Sequence, residues 1–170
     1  MNITLIGMPL AGKSTLGKVL AKKLGYRFVD IDRSIEKAAG LSLQDILDDF
    51  GEHHFLGLEE EAVMNLSQID KTVISPGGSI IYSEKAMQFL KSISTVIFLD
   101  IPYEVVAPRI AHRPRRGIIK MKSDDMEALF NERLPLYSQY SDIRFKIDKK
   151  TRIDATADSL VDLIKKHLNP

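Results

Sequence analysis

The stretch from Ile3 to Thr15 limits the possible folds more than any other part of the chain. Ile3 to Ile6 is a short apolar run of β type. It leads into Gly7-Met-Pro-Leu-Ala-Gly12-Lys13-Ser14, which fits the pattern G-x-x-x-x-G-K-[ST] without mismatch. Leu16, Val19, Leu20 and Leu24 then recur at helical spacing, so the loop joins a strand to an amphipathic helix. A loop of this kind wraps backbone N–H groups around a phosphate, and glycines let the chain turn where a side chain would clash. The helix start adds unpaired N–H groups and its positive dipole end. Lys13 can reach the β and γ phosphates of a nucleoside triphosphate, and the Ser14 hydroxyl can ligate Mg²⁺.

Strand and helix signals alternate along the rest of the chain. Strands are expected at Ile3–Ile6, Tyr26–Val29, Thr72–Ile74, Thr95–Leu99 and Arg144–Ile147. Helical patterns fall at 13–24, 31–39, 43–50, 52–67, 83–93, 102–112, 123–138 and 154–168. In the last of these Asp154 is a possible cap, and Ala157, Leu160, Val161, Ile164 and Leu168 form one stripe. Alternation of this kind predicts a parallel sheet with helices on both faces, within one domain spanning 1–170. The net charge of +1 excludes a global field for nucleic acid or a membrane surface. The absence of cysteine excludes disulfides and thiolate chemistry. No apolar run approaches the ~20 residues of a membrane span, and the chain enters its first strand without a leader-like segment, so a cytoplasmic protein is expected.

Two regions break the alternation. Residues 31–67 hold three helical segments where one crossover would suffice, an excursion of the kind that forms a substrate pocket. Residues 109–122 are basic and interrupted by Pro114 and Gly117, which predicts a lid-like loop. Asp30 and Asp32 follow the second strand, where ligands of a parallel sheet sit, and strand alternation would turn both to one side. One could hold Mg²⁺ and the other orient or deprotonate an acceptor hydroxyl. Otherwise Asp32 caps the helix from Arg33 and Asp30 is solvated. Ser75-Pro-Gly-Gly-Ser79 ends the third strand and lets a ligand approach the backbone. Of Arg109, Arg113, Arg115 and Arg116, a loop arginine arriving on closure would stabilise a transferring phosphoryl group. Without aromatic interleaving, a nucleic-acid patch is the poorer reading. Arg133 could clamp a carboxylate. Val96-Ile-Phe-Leu-Asp100 has the look of a metal-binding strand end, but Pro102 makes a helix start the better reading.

Taken in order, these pieces resemble the shikimate kinase family over nearly the whole chain. The matching stretches are Gly7 to Thr15, Leu24 to Asp32 with Ile35-Glu36 and Gly40, Gly51-Glu52, Phe55, Glu59, Pro76-Gly77-Gly78, Arg113-Pro114 and Arg133-Leu-Pro-Leu-Tyr137. The resemblance implies a three-layer αβα fold of P-loop NTPase type, with a five-stranded parallel sheet in the order 2-3-1-4-5. It implies ATP and Mg²⁺, and a shikimate hydroxyl as acceptor, within aromatic amino-acid biosynthesis. By position, Leu10, Ala11, Gly12, Lys13, Ser14 and Thr15 would hold the phosphates, with Ser14 and Asp30 at the metal. Asp32, Gly77 and Gly78 would meet the acceptor, and Arg133 its carboxylate. Lys13, Asp32 and Arg113 would be catalytic, Arg113 from the lid, while Arg109 would lie against the adenine. The expected partner is this small hydroxyl acceptor alone, with no nucleic acid and no membrane, and the chain is expected to be a monomer.

Three positions depart from the family pattern. Leu56 stands where a carboxylate-binding arginine is expected, Ser79 replaces a third glycine, and Leu10 replaces a common loop glycine. Leu56 and Ser79 open an alternative acceptor, another small polyol or hydroxy acid. A nucleotide-binding regulator without phosphotransfer is a further alternative.

Overall fold

A computed structural model describes residues 1–66, 68–112, 117–119, 125–148 and 151–168. Five strands, β1 (Asn2–Ile6), β2 (Arg27–Asp30), β3 (Thr72–Ser75), β4 (Ser94–Asp100) and β5 (Ile143–Lys146), form one sheet in the order β2-β3-β1-β4-β5. Every neighbouring pair is parallel. Fold and strand order are as expected from the family resemblance.

The strands sort their side chains by the period of two. Ile3 and Leu5 of β1, with Ile97 and Leu99 of β4, face α1 (Lys13–Leu24) and α7 (Ile153–Leu168). Ile6, Val96 and Phe98 face the other layer. That layer holds α2 (Ile31–Ala39), α3 (Leu43–Met64), α4 (Glu84–Ile93), α5 (Tyr103–Ala111) and α6 (Met126–Tyr140). With both faces covered, β1 and β3 are buried along their whole length, their polar residues Asn2, Thr4, Thr72 and Ser75 included. On α7 the expected stripe is buried at Ala157, Leu160 and Ile164, with Val161 packed at its edge. The side chain of Leu168 is outside the described residues, as are residues 123–124 of the helix expected at 123–138.

The two helices expected at 43–50 and 52–67 are the halves of α3. They meet at Gly51, whose φ of 80° and ψ of 173° break the helical path. β2 and β5 are each displaced by one residue from the expected bounds, because ladder pairing rather than apolar composition ends a strand. Asp100 is the last residue of β4 and accepts a 2.9 Å hydrogen bond from Arg144 Nε of β5. Neither a metal site nor a cap is needed to explain it. Among the described residues no helix is long and apolar enough to cross a membrane.

Because all strands are parallel, their carboxyl ends share one edge of the sheet. Strand order places the end of β3 between the ends of β1 and β2. The segment Pro76 to Ser79 therefore separates the phosphate-type loop from the aspartates after β2, and a cavity opens above these three ends.

Candidate active site

The loop between β1 and α1 begins with the backbone. Gly12 is the N-cap of α1 with φ 94°, a left-handed conformation that costs a side chain and suits glycine. Leu10 also has a left-handed φ of 61°. This is the physical reason a glycine is common there, and leucine holds the conformation at some cost. The Leu10 carbonyl accepts a 3.0 Å hydrogen bond from Arg109 Nη1 of α5, which ties the loop to the helix leading into the basic segment. Lys13 opens α1 and folds back, its Nζ donating to Gly7 O at 2.9 Å and Met8 O at 3.1 Å. Its ammonium is largely buried.

The cavity encloses about 1040 Å³, at the top of the range of roughly 300–1,000 Å³ typical of small-molecule sites. Of the expected residues, Leu10, Gly12, Lys13, Ser14, Thr15, Asp30, Asp32, Gly77, Gly78, Arg109 and Arg133 line it together. Ala11 is buried in the core beneath the loop and does not line it. Arg113, Arg115 and Arg116 lie outside the described residues.

The aspartate pair is arranged differently from the strand-alternation expectation. β2 stops at Asp30 and α2 begins at Ile31, so the two carboxylates are related by a helix start and not by a pleat. Asp30 is the N-cap, accepting from Arg33 N at 3.4 Å, and Asp32 sits in the first turn. The capping role considered for Asp32 belongs to Asp30. Both still line the cavity. The Ser14 hydroxyl and the Asp30 carboxylate are hard oxygen donors of the kind that suit Mg²⁺, which keeps several waters and takes few protein ligands. The donor set thus fits the expected ion.

Across the cavity, Arg133 of α6 is fully buried. Its Nη2 donates to Ile119 O at 2.9 Å and its Nε to the Tyr82 hydroxyl at 3.3 Å. The guanidinium lies 5.2 Å from the centre of the Tyr82 ring. Nη1 is buried and has no hydrogen-bond partner among the described residues. A buried N–H without a partner carries an energetic penalty that a carboxylate ligand would remove. Four positions further along α6, Tyr137 donates its hydroxyl to Gly78 O at 2.7 Å and holds the glycine segment in place. Burial pushes the Tyr137 hydroxyl far above its ordinary range, so it remains a donor.

Sequence reasoning placed no role on Glu59, and the structure puts it at the centre of this end of the cavity. Its carboxyl is 1% exposed. Oε2 accepts from Ser79 Oγ at 2.5 Å, while Oε1 has no hydrogen-bond partner among the described residues. Burial pushes the Glu59 carboxyl up to about 8; the Ser79 hydrogen bond opposes this, the Asp32 charge adds to it, and Arg133 and Lys13 oppose it. The signal available in sequence was the match of Glu59 to the family pattern, which carries no contact information. Leu56, three residues earlier, is half-buried and packs against the apolar core, and it does not line the cavity.

Two expectations follow from this geometry. A Cβ on Gly77 would stand 2.0 Å from Glu59 Oε1 and 2.8 Å from Asp32 Oδ1. Gly77→Ala is therefore expected to destabilise the fold by about 1–3 kcal/mol and to raise the KM of the acceptor more than that of ATP, as read by thermal unfolding and steady-state kinetics. The second concerns pH. The folded-state value of Glu59 lies above its unfolded value of 4.5. Its contribution to stability is thus fully present in acid and is lost as pH rises towards about 8. The unfolding midpoint should fall across that window in the parent chain. In Glu59→Gln, which lacks the ionisable carboxyl, the fall should be clearly smaller. Parallel pH profiles for the two proteins would refute this.

The shikimate kinase family profile matches residues 9–165. The chain is 40% identical over 149 residues to the shikimate kinase of Aquifex aeolicus, covering 88% of each protein. To that of Persephonella marina it is 39% identical over 150 residues, covering 88% of this chain and 91% of the relative. Among solved structures, shikimate kinase from Acinetobacter baumannii in complex with shikimate superposes with a TM-score of 0.88 at 27% identity, over 98% of this chain and 93% of the other. The Aquifex aeolicus enzyme superposes with a TM-score of 0.84 at 34% identity, over 99% and 98%. A fold that brings a complete phosphate-binding loop against an aspartate pair, a glycine segment and a buried arginine, and a likeness that runs the length of these relatives, show that the chain belongs to the shikimate kinase family.

Proposed function

We propose that the chain transfers the γ-phosphoryl group of ATP to a hydroxyl of shikimate. The observation that carries this reading is the two-ended cavity, with Lys13 and the loop at one end and, at the other, the Nη1 of buried Arg133, which has no hydrogen-bond partner among the described residues. ATP would lie with its phosphates on the N–H groups from Leu10 to Thr15 and its base towards Arg109. Ser14 and Asp30 would hold Mg²⁺, which when bound offsets charge on the phosphates. Arg133 would take the acceptor carboxylate, while Gly77, Gly78 and Asp32 would place one hydroxyl facing the γ phosphorus. In the transfer, the bond from the γ phosphorus to the β–γ bridging oxygen breaks and a bond to the acceptor oxygen forms. The hydroxyl proton passes to Asp32, and Lys13 stabilises charge on the transferring group. Arg113 would act from the lid. Every residue in this scheme comes from one chain, so a monomer suffices, which light scattering tests.

Leu56 gives no reason to prefer a different acceptor, since it lies outside the cavity lining and Arg133 Nη1 has no hydrogen-bond partner among the described residues. The test is ADP release with ATP and Mg²⁺ across shikimate and a panel of other hydroxy acids and polyols. Turnover of shikimate in preference to the panel is expected. Turnover of another compound with none of shikimate would overturn the acceptor assignment. ATP binding without any turnover would favour a regulatory protein.

A further inference from the structure

The two departures of the acceptor region, Leu56 and Ser79, are far apart in sequence but converge on Glu59. Leu56 and Glu59 are three residues apart on the regular second half of α3, where side chains at that spacing are neighbours. A guanidinium at position 56 would have Glu59 within reach, and the two charges would offset each other. Here position 56 is apolar and turned to the core. The only hydrogen bond to Glu59 among the described residues comes from Ser79 Oγ, across 20 residues of sequence. Glycine at 79 could not make it. We propose, resting on the acceptor reading above, that Ser79 replaces the missing guanidinium as the partner of Glu59. Ser79 is then a positioning residue that holds Oε2 so that Oε1 faces the acceptor beside Gly77.

The substitution is balanced in charge as well as in geometry. Arginine to leucine alone would remove a positive charge and leave an ionised Glu59 facing an anionic acceptor. A buried carboxyl held by one neutral hydroxyl keeps its proton near neutral pH, so both charges disappear together. The charged and titratable groups around Glu59 are then Asp32 of α2, Lys13 of α1, and Arg133 and Tyr137 of α6. Of these Tyr137 stays neutral, and a protonated Glu59 adds no further anion beside Asp32 where Arg133 is to meet the acceptor carboxylate. This gives a physical account of how a family member can lack the arginine and still take a carboxylate acceptor.

The test is a set of full-length variants assayed with shikimate. Ser79→Ala and Ser79→Gly should raise its KM about fivefold, with the KM of ATP unchanged, and Ser79→Thr should restore it. Leu56→Arg should lower that KM about tenfold in the Ser79→Gly background and clearly less in the parent, where Glu59 already has a donor. The parent KM should rise above about pH 8, where Glu59 ionises opposite the acceptor, and Leu56→Arg should flatten that rise. Equal gains from Leu56→Arg in both backgrounds, or a Ser79→Ala KM equal to that of the parent, would overturn the proposal. If the parent does not use shikimate at all, the acceptor reading falls. The pair is then judged without substrate, from the pH dependence of thermal unfolding. Loss of the Ser79 hydroxyl should move the Glu59 inflection up by about one pH unit; an unmoved inflection would refute the partnership.

Discussion

Lys13→Met is expected to lower kcat/KM for ATP-dependent phosphorylation by about a hundred- to a thousandfold. The methionine matches the unbranched stem of lysine and removes only the cation. In the structure that cation is nearly buried and donates to the carbonyls of Gly7 and Met8, so it is held at the loop before any nucleotide arrives. A preorganised charge in a water-poor site acts more strongly on a developing transition-state charge than on the ground state. The fall should therefore appear chiefly in kcat. ATP binding should weaken much less, because most phosphate contacts would come from backbone N–H groups at the start of α1. Steady-state ADP release and calorimetric titration of ATP separate the two. A loss below about tenfold would assign Lys13 to loop structure instead of catalysis.

Arg133→Met is expected to raise the KM of shikimate about ten- to a hundredfold and to leave the KM of ATP nearly unchanged. The arginine is fully buried, and two of its three nitrogens are engaged by Ile119 O and the Tyr82 hydroxyl. Those two bonds fix the plane of the guanidinium, and the third nitrogen, without a hydrogen-bond partner among the described residues, would be the one to meet the acceptor. Arg133→Lys should fail almost as badly, because an ammonium has no planar fork with which to meet Ile119 O and a carboxylate together. Stability should change little in Arg133→Met, since loss of two hydrogen bonds is offset by removal of a desolvated charge. An unchanged KM for shikimate, with the fold intact, would remove Arg133 from the acceptor site.

The site was legible in sequence to different depths. The loop from Gly7 to Ser14 was readable outright, because its chemistry depends on neighbours in the chain: a strand, a tight turn, a helix start. The aspartate pair was found, but its geometry was misread. Apolar composition carried the strand pattern through Val29, whereas the ladder ends at Asp30 and the helix begins one residue later. Arg133 was singled out as a possible carboxylate clamp, but only the resemblance set it above an ordinary surface arginine, since nothing local distinguishes a buried arginine from an exposed one. Glu59 was missed as a site residue. Its partner Ser79 and the glycine it presses against lie on the segment after β3, and Asp32 lies on α2, all remote from α3 in sequence.

By itself, then, the chain's sequence determined the alternating fold, the phosphate-binding loop and the helix faces that bury α1 and α7 against β1 and β4. These follow from periodicity and from hydrogen bonds closed within a few residues. Only the tertiary structure decided that Asp30 caps while Asp32 does not, that Leu56 turns to the core, and that Ser79 meets Glu59. Those outcomes depend on strand order, which sets the end of β3 between β1 and β2 and brings distant polar groups into one water-poor space. In that space each buried polar atom needs a partner, and which partner it finds is a property of the assembled layers rather than of any stretch of chain.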